Sequence, residues 1–305
     1  MRTTVYLPFL LTGALVVLGR LGSDRLSPRI GAWTLACCTA VVAVSSAVAV
    51  AILASPTLAS LPMVAHIGRW SASAVASHSP VPPATSLVAA VIVVGIVLRV
   101  ARVATGLAEQ LHAGRSARWG LGPTAPSGLA MLDDPDPLAY ALWTPDRRHR
   151  RVILSTGLLR LLDSQERAAV VAHERSHLRH NHPMFVAVAA LARAVNPFLG
   201  STAVDLRYSL ERWADEDAAA ATSRPVAASA LAKAGLATLA PHRVPTIEMA
   251  LHGHAVPDRV AALLDEPPHH RPWAWALVAT ALVAAGACLW ATHDAELFFE
   301  ALRRP

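Results

Sequence analysis

Charge is what this chain has least of. Only 16% of its 305 residues are Asp, Glu, Lys or Arg, against 54% hydrophobic, and its mean hydropathy is +0.41. Soluble domains carry about 25% charged residues, so a membrane protein is the class to test first. Cysteine is scarce too: Cys37, Cys38 and Cys288 all fall in apolar runs, and residues 105–271 have none. That excludes a disulfide framework and a thiolate metal site from the longest polar segment. Also missing is any basic stripe interleaved with aromatics. The net charge of +6 sits largely where membrane topology places arginine, including "PDRRHRR" at 145–151, so direct nucleic-acid binding is not expected.

What is present in their place is a set of four apolar runs. Thr3 to Gly19 is the shortest, Gly31 to Ala54 has no charge at all, the third starts at Thr85, and the fourth runs from Trp273 to Thr292 with Trp273, Trp275 and Trp290 near its ends. The last three are long enough for a hydrocarbon core of about 30 Å, and the tryptophans suit its interfaces. Pro8 within the first run, and no small-x-small site before Arg20, favour an uncleaved anchor over a signal peptide. Four transmembrane helices are therefore expected. Arg20, Arg25 and Arg29 lie between the first two, whereas Arg69 is the only Lys or Arg from Ser55 to Ser86. Arg99, Arg102, Arg115 and Arg118 open the next segment, and His269, His270 and Arg271 close it. The positive-inside rule then puts the first loop and residues 105–271 in the cytoplasm, with both termini outside.

The segment begins with a juxtamembrane helix and a linker, "GLGPTAPSG". The stretches "LAYALW" (138–143) and "RVILS" (151–155), separated by a Pro145-Asp146 turn signal, predict an antiparallel hairpin. Asp163, with Glu166 three residues on, predicts a capping box opening a helix that stops before Pro183.

That helix carries "VVAHERSHLRHNHP", 170–183. His173 and His177 are four apart and so share one face, roughly 6 Å apart along the axis, a spacing that suits two nitrogens on one zinc ion. Glu174, the next residue round, can reach the open side of the metal as general base. The five residues "HERSH" thus fit H-E-x-x-H, a pattern that also occurs as plain helix surface. A third ligand strengthens the reading. In "YSLERWADEDAAAA", Glu211 and Asp215 share a face at i and i+4. Glu211 can complete a His/His/Glu site, leaving the fourth position for water, and Asp215 can accept the free N–H of a ligating imidazole.

The intervening 184–200, "MFVAVAALARAVNPFLG", is short and interrupted by Arg193 and Asn196-Pro197. A single crossing there would separate Glu211 from the histidines, so a buried or membrane-resting helix under the site is expected. His180 and His182 read as a polar helix end. His254 and Arg259 are candidates for stabilising an oxyanion, the alternative being a loop residue and a cytoplasmic-side anchor.

With "VVAHERSHLRHNH", "LERWADEDAA" and this topology, the chain resembles the BlaR/MecR-type membrane zinc metallopeptidases. More distantly it is similar to the HtpX and CAAX prenyl-protease group. The lead-in "AYALW...RRVILSTGLLRLLDSQERAAVVAHE" belongs to the same resemblance. It implies a mainly α membrane protein of four transmembrane helices, with a cytoplasmic α+β zincin-like (gluzincin) metallopeptidase domain between helices three and four. The divisions are 1–104, a three-helix membrane region; 105–271, the peptidase; and 272–305, the fourth helix with a short extracytoplasmic tail. His173, His177 and Glu211 are then zinc (Zn2+) ligands, Glu174 the catalytic base and Asp215 the partner behind a ligand. The protein substrate implied is a winged-helix BlaI-type repressor, or the chain itself in an activating cut. After Thr292 only "HDAELFFEALRRP" follows, so the resemblance covers the protease and not the penicillin-binding sensor of that family. HtpX proteins place a membrane hairpin between the histidines and the glutamate, for which there is no space here. A housekeeping protease and a non-catalytic zinc-stabilised scaffold are the alternative readings.

Overall fold

The computed structural model describes residues 3–22, 25–68, 70–120, 128–238, 255–265 and 272–303. Arg69, His254, His269, His270 and Arg271 lie outside the described residues. The fold is mainly helical. It opens with a 3-10 turn, Thr3–Tyr6, and α1, Leu7–Gly22. Then come α2, Pro28–Ala59, two short helices α3, Pro62–Gly68, and α4, Ala72–His78, and α5, Pro83–Gly120. A three-stranded sheet follows: β1, Leu129–Leu132, β2, Ala139–Leu142, and β3, Arg151–Ser155. The helices after it are α6, Thr156–Leu161, α7, Ser164–Arg179, α8, His182–Val195, α9, Gly200–Ala221, and α10, Arg224–Thr238. The last two described are α11, Ala255–Leu264, and α12, Pro272–Arg303.

Among the described residues three helices are long and apolar enough to cross a membrane: α2, α5 over Pro83–His112, and α12 over Pro272–Ala301. The first apolar run forms the 16-residue α1, about 24 Å long and short of the roughly 30 Å core on its own. Burial ranks the long helices: 61% of the apolar window of α2 is buried, 33% of α12 and 11% of α5. So α2 is the centre of the bundle. Helix α5 turns Leu87, Val91, Val94 and Leu98 outward, as a helix solvated by lipid does.

The boundary expected at 104/105 falls inside α5, and the main core crosses it. Leu15 of α1, Leu35 and Val42 of α2 and Leu277 of α12 pack in one cluster with Phe185 of α8 and Leu206, Leu210 and Trp213 of α9. The expectation for 184–200 holds: α8 is a 14-residue helix against α2 and α5. Its end is pinned in the apolar interior by Asn196, whose Nδ2 donates to Thr12 Oγ1 at 2.9 Å and Ser46 Oγ at 3.1 Å. Asn196 Oδ1 accepts from the Phe198 N–H, so this buried amide has partners at both ends.

The expected hairpin is present, with β2 antiparallel to β3 and Ala141 opposite Val152. The sequence reading missed β1, which pairs parallel with β3 and makes β3 the centre of the order β1-β3-β2. Gly128, at φ +72°, swings the chain into it. Asp163 caps α7 through the Gln165 and Glu166 N–H groups, and Glu166 returns the bond to the Asp163 N–H, completing the expected capping box.

Candidate metal centre

Helix α9 has two different jobs along its length. Its first half packs Leu206 and Leu210 into the membrane-helix core. One residue later Glu211 faces α7, and Asp215 follows one turn on. The spacing that suggested a shared face therefore brings both carboxylates to the histidines. His173 Nε2 lies 3.1 Å from His177 Nε2 and 3.5 Å from Glu211 Oε2, and His177 Nε2 lies 3.6 Å from Glu211 Oε1. Two donors each about 2.05 Å from one ion at the tetrahedral angle stand about 3.3 Å apart. The donor triangle has the size a four-coordinate divalent ion requires. Among the described residues this is the one group of three such donors close enough to hold a metal.

The far side of each imidazole fixes which nitrogen faces the centre. Asp215 Oδ1 is 3.0 Å from His173 Nδ1 and accepts its N–H, which leaves Nε2 as the nitrogen facing the centre, able to bind a metal once its own proton is displaced. His177 Nδ1 is 2.8 Å from His182 Nδ1. With the proton on His177 Nδ1, its Nε2 presents a lone pair to the centre and His182 Nδ1 is the acceptor, its own Nε2 being buried with no hydrogen-bond partner among the described residues. His182 was read from the sequence as part of a polar helix end. It is instead buried, 2% exposed, packed against Trp213 and Phe185. The cause is Asn181: at φ 57°, ψ 40° it adopts a left-handed turn between α7 and α8 that folds His182 back onto His177. Trp143 Nε1 donates to the Asn181 side chain at 3.1 Å, tying that turn to the hairpin. His180 stays outside the centre. It caps α7, stacks on Trp213 at 4.3 Å and pairs with Asp217 at 3.0 Å.

Arg259 was left open between an oxyanion donor and an interfacial anchor. It is no anchor: 6% exposed on α11, it puts Nε 2.8 Å from Asp215 Oδ2 and Nη2 2.7 Å from Asp215 Oδ1. Its Nη1 lies 3.0 Å from Glu211 Oε2. Burial opposes charge at Glu211 and Asp215, yet Arg259 and the histidines win and hold both below the usual carboxylate range. His173 is likewise opposed by burial, but its bonds to Asp215 and Glu211 raise it to about 10. His177 meets Glu211 at 3.6 Å but lacks the Asp215 bond that His173 has, and burial outweighs the nearby carboxylates and lowers His177 and His182 to about 4 and about 3.

Glu174 lies beside these groups and lines the same cavity of about 340 Å³ as His173, Glu211, Asp215 and Arg259. Burial raises its carboxyl above the ordinary range, against the nearby His173 and Arg259 cations and an N–H donated by Ala141 of β2. A carboxylate of raised affinity for protons, next to a tetrahedral donor set with one side open, can accept a proton from water and pass it on.

Residues 99–230, less than half of the chain, match the model of peptidase family M48. Among curated proteins, the "Protease HtpX homolog" of Acidiphilium cryptum is 29% identical over 145 residues, 47% of this chain and 46% of that protein. The "Protease HtpX homolog" of Ligilactobacillus salivarius is 42% identical over 64 residues, 21% of either chain. That of Dictyoglomus thermophilum is 34% identical over 89 residues, 29% of either chain. The chain thus spans less than half the length of the curated relatives it matches. No solved structure gives a significant match. These names support the HtpX side of the resemblance, which the sequence reading held the more distant, and do not reach the BlaR/MecR subfamily. Together with the His173, His177 and Glu211 cluster on α7 and α9 and three helices apolar enough to cross a membrane, they make this chain similar to M48-type metallopeptidases.

Proposed function

We propose that this chain is a zinc-dependent endopeptidase embedded in the cell membrane, with its catalytic segment facing the cytoplasm and both termini outside. One observation carries the chemistry: three donor atoms at tetrahedral spacing, with Glu174 lining the same cavity as His173 and Glu211. His173, His177 and Glu211 would hold the ion, and a bound zinc supplies the Lewis acidity that polarises a peptide carbonyl and acidifies water. Glu174 takes the proton from the attacking water as the C–O bond forms. As the C–N bond breaks, it gives that proton to the leaving amine. Asp215 and His182 fix the two imidazoles, and Arg259 fixes Glu211 and Asp215. The guanidinium also lines the cavity, where it is the permanent cation available to a developing oxyanion. His254 is carried as a second oxyanion candidate on its sequence position alone.

Strand β2 has one partner strand among the described residues, and its other edge adjoins Glu174 through Ala141. An extended substrate adding to that edge would lay its backbone across the site. Counting α1 as a fourth crossing reproduces the arginine asymmetry of the loops. Single cysteines placed in 105–120 and in the tail after α12 would then be labelled from opposite sides by a membrane-impermeant thiol reagent.

For the substrate, the BlaR/MecR resemblance favours a BlaI-type winged-helix repressor or a self-cut, and housekeeping cleavage of damaged membrane proteins is the alternative. Purified chain with zinc is incubated with such a repressor and with a partly unfolded membrane protein. A discrete cut in the repressor supports regulation, and degradation of the unfolded protein alone supports housekeeping. A purely structural zinc site has no need of Glu174, so a scaffold is the weakest of the three readings.

A further inference from the structure

The helix bundle has a second buried cluster, at the end away from α8 and α9. Ala49 and Leu53 of α2 meet Ala291 and Ala295 of α12 there, and among the described residues none from α7 to α11 takes part. Ala295 lies about 27 Å along α12 from Leu277 of the first cluster, close to the roughly 30 Å of a hydrocarbon core. Beside the second cluster a groove of about 470 Å³ opens between the two helices. Its α2 wall is Val48, Ala51 and Ile52, and its α12 wall carries Glu296, Phe299 and Glu300, which share one helical face at i, i+3 and i+4. Trp70 completes the lining. Its ring lies 5.1 Å from that of Phe299 at 39°, and its Nε1 donates to the Ala59 carbonyl at 3.0 Å. The groove is apolar at one end and acidic at the other. From Trp273 to Thr292 α12 has no Asp, Glu, Lys or Arg, and both glutamates come after that run. Both are exposed, and no Lys or Arg lines the groove with them.

We propose that this groove binds a long-chain organic ammonium, its aliphatic chain against Val48, Ala51 and Ile52 and its cationic head between the Trp70 and Phe299 rings and the Glu296 and Glu300 carboxylates. The proposal rests on α2 and α12 crossing the bilayer and is independent of the peptidase reading. Charge complementarity selects the occupant. Two carboxylates one turn apart on a helix repel each other, and a cation beside both relieves that repulsion. The aromatic faces attract the same charge, in the way that quaternary ammonium groups are recognised. A phospholipid headgroup is disfavoured, because its phosphate would be brought to the same two carboxylates. The chain follows from depth: the apolar wall stands at the level of the hydrocarbon and the carboxylates at its edge, the order in which a cationic amphiphile lies in one leaflet. The volume of about 470 Å³ is within the roughly 300–1,000 Å³ of small-ligand pockets.

The test uses the full-length protein in phosphatidylcholine nanodiscs, where zwitterionic headgroups compete throughout, and dodecyltrimethylammonium carrying a photoreactive diazirine as the probe. Crosslinked peptides are identified by mass spectrometry. Saturable labelling is expected at 48–55, 70 and 292–300, suppressed by unlabelled dodecyltrimethylammonium at about a tenth or less of the concentration that neutral dodecyl maltoside requires. Glu296→Gln combined with Glu300→Gln should weaken binding about five- to tenfold, and Trp70→Leu about threefold. Added salt should weaken labelling of the parent more than that of the double Gln variant. The two glutamates are exposed, so the double variant should melt with the parent, and it carries the test if Trp70→Leu does not fold. Labelling as dense along α5 as in the groove, equal suppression by the neutral amphiphile, or an affinity that the double Gln variant leaves unchanged overturns the proposal. None of these readouts involves hydrolysis, so the groove and the peptidase reading stand or fall separately.

Discussion

Replacing His182 by leucine should weaken metal binding by about 10–100-fold, the usual effect of removing a partner behind a ligating histidine. The magnitude follows from the local geometry. The His177 Nδ1 to His182 Nδ1 contact is 2.8 Å, and His182 is 2% exposed, so water has little access to replace it. Leucine fills much of the space but leaves the His177 N–H buried and unpaired, a penalty of about 1–3 kcal/mol. If that penalty falls chiefly on the metal-bound tautomer, it corresponds to roughly one to two powers of ten in affinity. The assay is competition for zinc against a chelator in detergent-purified protein, alongside the visible spectrum of the cobalt-substituted form. His182→Asn supplies the control, because its Oδ1 is an acceptor at the position of the imidazole Nδ1. Asparagine should restore most of the affinity and leucine should not. Equal zinc affinity in parent, Leu and Asn proteins would refute the argument, as would equal losses in Leu and Asn, which would mark His182 as packing alone.

Arg259→Met should destabilise the metal-free protein by about 3 kcal/mol, because it removes the guanidinium partner of buried Asp215 and half-buried Glu211 and leaves them His173. The loss should be smaller with zinc bound, since the ion compensates Glu211, and thermal melts with and without zinc measure the difference. At Glu166, burial opposes ionisation, but Lys233 at 2.5 Å, Ser229 at 2.7 Å and the Asp163 N–H lower the carboxyl from 4.5 to about 2. Its folded value lies below its unfolded one, so the pairing adds stability above about pH 4.5 and loses it as the pH falls toward about 2. Glu166→Gln should flatten that acid-side slope in denaturation curves taken across the interval, and an unchanged slope would contradict it. Gly157→Ala should be strongly destabilising, because a Cβ there would stand 2.0 Å from the Pro135 carbonyl oxygen. A parent-like melting temperature in that variant would show that the loop before β2 can move aside.

The parts of this arrangement that were legible in the sequence are those written at short range. Asp163 and Glu166 are three apart, His173 and His177 four apart, Glu211 and Asp215 four apart, and helical periodicity turns each spacing into a shared face or cap. The β2–β3 hairpin announced itself through Pro145-Asp146. Strand β1 did not, since it is four residues long and pairs with a strand more than twenty residues away. His182 was misjudged because its position depends on one left-handed residue, Asn181, rather than on periodicity. Arg259 is 44 residues from Asp215, and nothing local indicates that they meet. Nor does composition reveal that α9 is half helix-bundle core and half candidate metal site. Its apolar and polar halves make sense only with α2 on one side and α7 on the other.

Zinc per chain and peptide hydrolysis, measured together for the parent protein and Glu174→Gln, decide whether this chain is a zinc endopeptidase. About one zinc per chain is expected in both, with hydrolysis by the parent alone. Hydrolysis that survives in Glu174→Gln, or a parent that binds no zinc, would contradict it.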